Sequence, residues 1–416
     1  MSHDASDVAT QLMSSESGVT DTSPERGGDD CSPPPTPSTD YVPPSQSAIT
    51  SLERIRTEMH DIFGRAAKRF AAGDLGLIGW GPPPRVHQIH PDHHGKTWYF
   101  VGDIHGDFLA WHVLFETVRR DPDFRLCFLG DLVDRGPMDI ECVAAILDAA
   151  ERYPQQILWI VGNHDEAIRF TPGAERPFSA IVEPAEFTDW LNAPTNGIGA
   201  DDARAWGHLF IAICNYLPRA ARFPDGLLAT HGGIPLADRW PHLTTILAFE
   251  QDGVLSDFTW TRATSAPKKL GWKFDPARRA TSSSFEFGYK DLEGFCAAVS
   301  AVFPITEVIR GHDHVDGGYE RPSGYGVIPL HTLNGFGFNH LTNSLANYKH
   351  ELPLGVRRAG SPLEITRVTY SIDEYQTVYM PIVAPVPDIV ATKEERAVID
   401  ESGGGYRNGF PSTLAE

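Results

Sequence analysis

Five short apolar runs each end in a cluster of oxygen- and nitrogen-bearing side chains. Residues 97–101 (TWYFV) lead into Gly102-Asp103-Ile104-His105-Gly106. Residues 126–129 (LCFL) lead into Gly130-Asp131-Leu132-Val133-Asp134-Arg135-Gly136. Residues 157–161 (ILWIV) precede Gly162-Asn163-His164-Asp165. The run LLAT precedes His231-Gly232-Gly233, and EVIR precedes Gly311-His312-Asp313-His314. Asp, His and Asn without Cys form a donor set suited to Mn, Fe or Zn. Gathering carboxylates and imidazoles at one point is costly unless cations compensate them. A single Gly-Asp is usually a turn, and a single His is usually satisfied by hydrogen bonds. Five such pieces, in order, are better explained by one shared site.

The elements that would position them alternate. The five runs are short, apolar and β-prone, and read as buried strands. Between the first two, residues 107–120 read as a helix, with Phe108, Trp111, Phe115 and Val118 on one face. Ile140, Val143, Ala144 and Leu147 mark a second helix. Strand, helix, strand, helix, strand is an α/β signature. In open α/β sheets the carboxyl ends of the strands face the ligand, so the five clusters would converge there. Residues 171–222 interrupt the rhythm and read as a helical insertion beside the site.

The ends differ in composition. Residues 1–48 read as a Pro/Ser-rich tail, with eight acidic and one basic residue in the first 50. Such a segment buries too little apolar surface to offset its ordering entropy. Its PxxP-like stretch could dock to an SH3-type partner. Residues 49–96 read as a helix over 51–70 (Ile55, Met59, Ile62, Phe63, Phe70) and a linker containing GWGPPP. Residues 97–385 form the expected catalytic domain, and 386–416 a C-terminal tail.

The 416 residues carry a formal net charge of −20. That argues against electrostatic binding to nucleic acid or anionic membrane. No apolar run reaches the length of a membrane span, and the N-terminus lacks signal-peptide features. Five scattered cysteines without a CxxC pair suit a reducing, cytoplasmic setting.

Read together, GDIHG, GDLVDRG, GNHD, HGG and RGHDH resemble the phosphoprotein phosphatase family of calcineurin-like metallophosphoesterases. NYLPRAA (215–221), SFEFG (284–288) and RGHDHVDGGYE (310–320) extend the resemblance over roughly residues 97–340. It implies an α/β sandwich, β-sheets flanked by helices, holding two divalent or trivalent metal ions: Mn, with Fe or Zn as alternatives. Asp103 and His105 would hold one metal, Asp131 would bridge, and Asn163, His231 and His312 would hold the other. A hydroxide shared by the metals would attack phosphorus in line. His164 would be the general acid, oriented by Asp134. Arg135 would clamp phosphate, since its planar fork fits phosphate oxygens bidentately. The second clamp is either Arg262, within Trp260-Thr261-Arg262, or Arg279 ahead of SFEFG; Arg262 aligns without a gap and is preferred.

The implied activity is that of a serine/threonine protein phosphatase acting on phosphorylated proteins or peptides. Asp165 stands where protein phosphatases of the family usually have Glu. Asp is common there in diadenosine tetraphosphate hydrolases, which are therefore the rival enzymatic reading. A non-catalytic phosphate-binding scaffold is the rival of another class, and the intact ligand set argues against it. TLNGFGFN (332–339) carries phenylalanines where the family has an asparagine-tyrosine loop. The histidine cluster VHQIHPDHH is expected to be an exposed loop. His314, two residues after His312, could approach the site, but the preferred reading is that it faces away or packs behind the ligands. Lys268, Lys269, Arg278 and Arg279 mark a positive loop near the cleft.

Overall fold

Alternate side chains of the parallel strands enter different cores, as the two-residue period of a strand requires. In Trp98–Val101, Trp98 and Phe100 join one apolar cluster while Val101 joins another. Arg125–Phe128 does the same with Cys127 against Leu126 and Phe128, and Ile157–Trp159 with Leu158 against Ile157 and Trp159. The first cluster is shared with Ala221, Phe223, Leu227, Ala229, Ile309 and Leu333, so it is the interior between two sheets. The computed structural model describes residues 44–195, 197–264, 271–274, 285–322, 325–339, 344–345 and 351–370.

One six-stranded sheet runs in the order Leu77–Ile78, Ile157–Trp159, Arg125–Phe128, Trp98–Val101, Glu351–Arg357, Glu364–Thr369. Its first four strands are parallel, and the last two form an antiparallel hairpin. The second six-stranded sheet runs Tyr319–Glu320, Leu330–Leu333, Glu307–Arg310, Leu227–Thr230, Ala220–Arg222, Val86–Gln88. Its central strands, Glu307–Arg310 and Leu227–Thr230, are parallel. Helices Phe108–Val118 and Asp139–Arg152 cover the first sheet; Asp252–Trp260 and Tyr289–Val299 cover the second. This is the sandwich of sheets flanked by helices expected from the sequence.

The first helix differs from its sequence reading: it spans Pro44–Ala71. Ala48 and Leu52 extend its buried stripe upstream, and Pro44 is tolerated at a helix start, where its missing N–H has no intrahelical partner. Arg54–Asp148, Arg56–Glu141 and Arg65–Glu151 pairs, at 2.7, 2.7 and 2.8 Å, fasten it to Asp139–Arg152. The insertion is not purely helical. It holds Glu186–Asn192 and Ala200–Tyr216, part of a small hairpin (Ile168–Phe170 with Phe178–Ala180), and the second-sheet strand Ala220–Arg222. The histidine cluster is also not a loop. Val86–Gln88 is an edge strand and Pro91–His94 a short helix. Its imidazoles serve the packing: Arg125 Nε donates to His93 Nδ1 at 2.9 Å, and His94 Nε2 lies 3.2 Å from Asp225.

Trp98, Trp159 and Trp260 are buried. Cys127, Cys142, Cys214 and Cys296 are buried free thiols, and burial pushes each thiol upward from its ordinary value. Among the described residues no helix is long and apolar enough to cross a membrane. The tail over 1–43, the boundary at 385, residues 386–416, Cys31 and the loop with Lys268, Lys269, Arg278 and Arg279 lie outside the described residues.

Candidate metal centre and active site

The backbone at the strand ends is bent into conformations that ordinary residues avoid. His105, Asp131, Asp134, Arg135 and His312 all have positive φ, between 49° and 72°. A left-handed non-glycine residue costs about 1–2 kcal/mol, and such strain persists where surrounding contacts fix it, often at functional sites. Among the described residues, the one other non-glycine with positive φ is Gln155. Two glycines permit the close approach. A Cβ on Gly162 would lie 2.1 Å from Asp131 Oδ1, and one on Gly130 would lie 2.6 Å from His231 Nδ1.

These turns bring the loops of both sheets together. The His312 N–H donates to Asp103 Oδ1 at 2.9 Å, and the His164 N–H to Asp131 Oδ1 at 2.8 Å. His231 Nδ1 donates to the Leu129 carbonyl at 2.7 Å. A carbonyl only accepts, so the proton sits on Nδ1 and the lone pair on Nε2. That lone pair faces Asn163 Oδ1 at 3.0 Å, His312 Nδ1 at 3.1 Å and Asp131 Oδ1 at 3.4 Å. His105 repeats the pattern. Its Nδ1 donates to the Val133 carbonyl at 2.8 Å, leaving Nε2 to face Asp131 Oδ2 at 3.7 Å and Asp103 Oδ2 at 3.9 Å.

Acceptors facing acceptors in a buried space are unfavourable without a cation among them. Asp103 Oδ2, His105 Nε2 and His312 Nε2 are buried without a hydrogen-bond partner among the described residues. Three groups bring ligand atoms within 4.8 Å of one another: Asp131 with His231 and His312, Asp131 with His105 and His164, and Asp103 with His105 and His314. The donor set therefore fits two metal ions that share Asp131. Fixing each imidazole through its other nitrogen is how proteins hold metal-binding histidines.

Two of the imidazoles are held neutral. Burial, reinforced by Arg135, pushes His105 well below the ordinary imidazole range. Burial, reinforced by Arg262 and His231, does the same to His312. Both imidazoles are thus neutral and have a lone pair to offer. Burial opposes charge on both Asp131 and His231, but each favours the charged form of the other: His231 and His164 hold the Asp131 carboxyl well below the usual carboxylate range, and Asp131 and Asp103 hold His231 above the ordinary imidazole range, so a cation at Nε2 would displace that proton. Asp103 moves upward, chiefly through burial.

Beside the centre, Asp134 Oδ2 lies 2.7 Å from His164 Nδ1, and Arg135 Nη2 lies 3.4 Å from His164 Nε2. The carboxylate fixes the imidazole with Nε2 towards the arginine. Arg262 Nη1 donates to Asp313 Oδ1 at 2.6 Å and to the His312 carbonyl at 3.2 Å, so its guanidinium sits beside a candidate ligand. Arg279 lies outside the described residues. Asp165 is buried and turned inward, accepting from Leu132 N and Gly162 N, each at 2.9 Å. Burial pushes its carboxyl to about 6.

Of the two orientations open to His314, the structure shows the one that approaches the site. Its side chain is 39% exposed, yet Nε2 lies 4.0 Å from Asp103 Oδ2, at the rim of the first metal position. Phe336, in the phenylalanine-bearing segment, packs edge-on against His105 and His314 at 5.1 and 5.0 Å. Asp107 and Asn334 were not singled out. Asp107 caps Phe108–Val118 through the Ala110 N–H and accepts the Gly337 N–H. Asn334 bonds Val315 N and the Asp313 carbonyl. An Asp just before a helical stripe signals an N-cap; nothing comparable marks Asn334.

Residues 97–316 match the calcineurin-like phosphoesterase family. A Caenorhabditis elegans protein named as a serine/threonine-protein phosphatase is 29% identical over 239 residues, 56% of this chain and 57% of that one. A PP2A-like serine/threonine-protein phosphatase of Candida albicans is 27% identical over 224 residues, 53% of this chain and 47% of that one. The chain therefore spans about half the length of these relatives. With more than half of its residues inside the family match, the chain belongs to the calcineurin-like phosphoesterase family.

Proposed function

We propose that the protein is a dimetal phosphomonoester hydrolase of the phosphoprotein phosphatase type, acting on phosphoserine and phosphothreonine in proteins. The observation that carries this reading is the Asp134–His164 pair, 2.7 Å long, next to Asp131, which falls in two groups of candidate ligand atoms, one with His105 and His164 and one with His231 and His312. Asp103, His105 and Asp131 would hold one ion; Asp131, Asn163, His231 and His312 the other. When bound, such ions polarise a phosphoryl oxygen and acidify a water between them.

The chain's own groups supply the rest. Arg135 and Arg262 offer guanidinium donors to the phosphate oxygens. His164, oriented through Nδ1 by Asp134, presents Nε2 on the Arg135 side and gives its proton there to the departing serine or threonine oxygen. Asp134 keeps that ring from turning.

Dinucleoside polyphosphate hydrolysis draws support from Asp165. That carboxylate is spent on two backbone N–H groups, which weakens this support. The test is manganese-loaded protein given phosphoserine, phosphothreonine and phosphotyrosine peptides and diadenosine tetraphosphate side by side. Phosphate release chiefly from the first two is expected. Cleavage of diadenosine tetraphosphate alone would overturn the reading.

A further inference from the structure

The Asp134–Arg135 turn is strained, and a helix of the insertion holds it. Two consecutive non-glycine residues sit at φ 69° and 72°. Glu186 begins the helix Glu186–Asn192, and its Oε2 accepts the Arg135 backbone N–H at 3.1 Å. In return, Asp134 Oδ1 accepts the Phe187 backbone N–H at 3.0 Å. The two segments thus exchange hydrogen bonds, carboxylate to amide in each direction. Phe187 is fully buried and packs edge-on against Phe210 of the helix Ala200–Tyr216, with ring centres 5.1 Å apart. The start of the insertion helix is therefore anchored in the core.

Resting on the phosphatase reading above, we propose that Glu186 is a positioning residue for phosphate binding: by holding the left-handed backbone of Arg135, it sets where the Arg135 guanidinium meets the substrate. Asp134 needs no such help from Glu186, because its Oδ2 is fixed by His164 and its Oδ1 by the Phe187 N–H. Arg135 has less to hold it. Its buried Nε has no partner among the described residues, and its Nη2 reaches His164 at a long 3.4 Å. Loss of the Glu186 contact lets the backbone relax towards an ordinary φ and swings the guanidinium away. The insertion thereby tunes affinity for the phosphate group.

The test uses full-length, manganese-loaded protein as wild type, Glu186→Ala, Glu186→Gln, Arg135→Ala and the double variant Glu186→Ala with Arg135→Ala. Three quantities are read: inhibition by inorganic phosphate, kcat and KM for an aryl phosphate, and the melting temperature. Glu186→Ala should weaken phosphate inhibition and raise KM by roughly tenfold, about the effect of losing one charge-assisted hydrogen bond. Its kcat should change less than its KM. Glu186→Gln keeps an amide-accepting oxygen and should stay within about threefold of wild type, well under one charge-assisted bond.

The double variant decides. If Glu186 acts through Arg135, removing it from the Arg135→Ala protein changes phosphate affinity no further. An equal further loss in that background would overturn the proposal, as would wild-type phosphate affinity in Glu186→Ala. Should Glu186→Ala fail to fold, Glu186→Asp, one methylene shorter, carries the same comparison. Phosphate binding by calorimetry separates this from the phosphatase reading. Wild-type protein that hydrolyses no phosphomonoester refutes that reading, while the same pattern of phosphate affinities would still support the role of Glu186.

Discussion

His164 Nδ1 and Asp134 Oδ2 lie 2.7 Å apart in a pair that is almost wholly buried, 30 residues apart in sequence. The consequence is a fixed tautomer and a fixed ring. His164→Asn should therefore slow alkyl phosphates by about 10²–10⁴-fold, and activated aryl phosphates far less, since a good leaving group needs little protonation. Metal content should stay at the wild-type level. Equal losses on both substrates would assign His164 a structural role.

Asp131 is the residue that both candidate metal positions share. Asp131→Asn removes the charge that would hold two cations together, although its backbone contacts to Ile104 and His105 persist. Metal content by elemental analysis should fall below two per chain, and aryl phosphate turnover should collapse. Full turnover in that variant would exclude a bridging role.

Arg262 is placed by Asp313 and by the carbonyl of His312. Arg262→Ala should lower kcat/KM by one to two decades, the loss of about 1.5–3 kcal/mol of charged hydrogen bonding. The loss should persist at high salt, because a direct contact is poorly screened. Arg279→Ala should give a smaller loss that fades as ionic strength rises. The reverse ranking at high salt would make Arg279 the second phosphate clamp.

Arg357 joins the two sheets by reaching Asp225 at 2.7 Å and Glu307. Burial opposes charge on both carboxyls, but Arg357 and His94 hold Asp225, and His331 and Arg357 hold Glu307, below their ordinary values. A depressed folded value contributes stability above the unfolded carboxyl range, and that contribution is lost as pH falls through the folded value. Arg357→Met should cost roughly 1.5–3 kcal/mol at pH 7. By urea unfolding, the gap to wild type should narrow below about pH 4, the unfolded carboxyl range. A gap of constant size down to pH 3 would exclude the charge contribution.

Much of this molecule is written in local pattern. The first three strand ends were legible because each joins an apolar run to a glycine and a donor side chain, as in Val101-Gly102-Asp103. The helices Phe108–Val118 and Asp139–Arg152 showed their stripes. Strands whose existence depends on neighbours did not. Ala220–Arg222 has weak β-propensity and is defined by pairing with Leu227–Thr230. Glu351–Arg357 contains Pro353 and Gly355, which argue against a central strand, yet it fills the sheet beside Trp98–Val101. Glu186 gave no signal, since its partner is a backbone N–H 51 residues away.

The central claim is that both metal positions must be filled for phosphomonoester hydrolysis. Metal-stripped protein titrated with manganese, with bound metal and phosphate release from a phosphothreonine peptide measured on the same samples, tests it most directly. Turnover should stay low through the first equivalent and rise as the second binds. Full turnover in metal-free or one-metal protein, or none with two ions bound, would contradict the account.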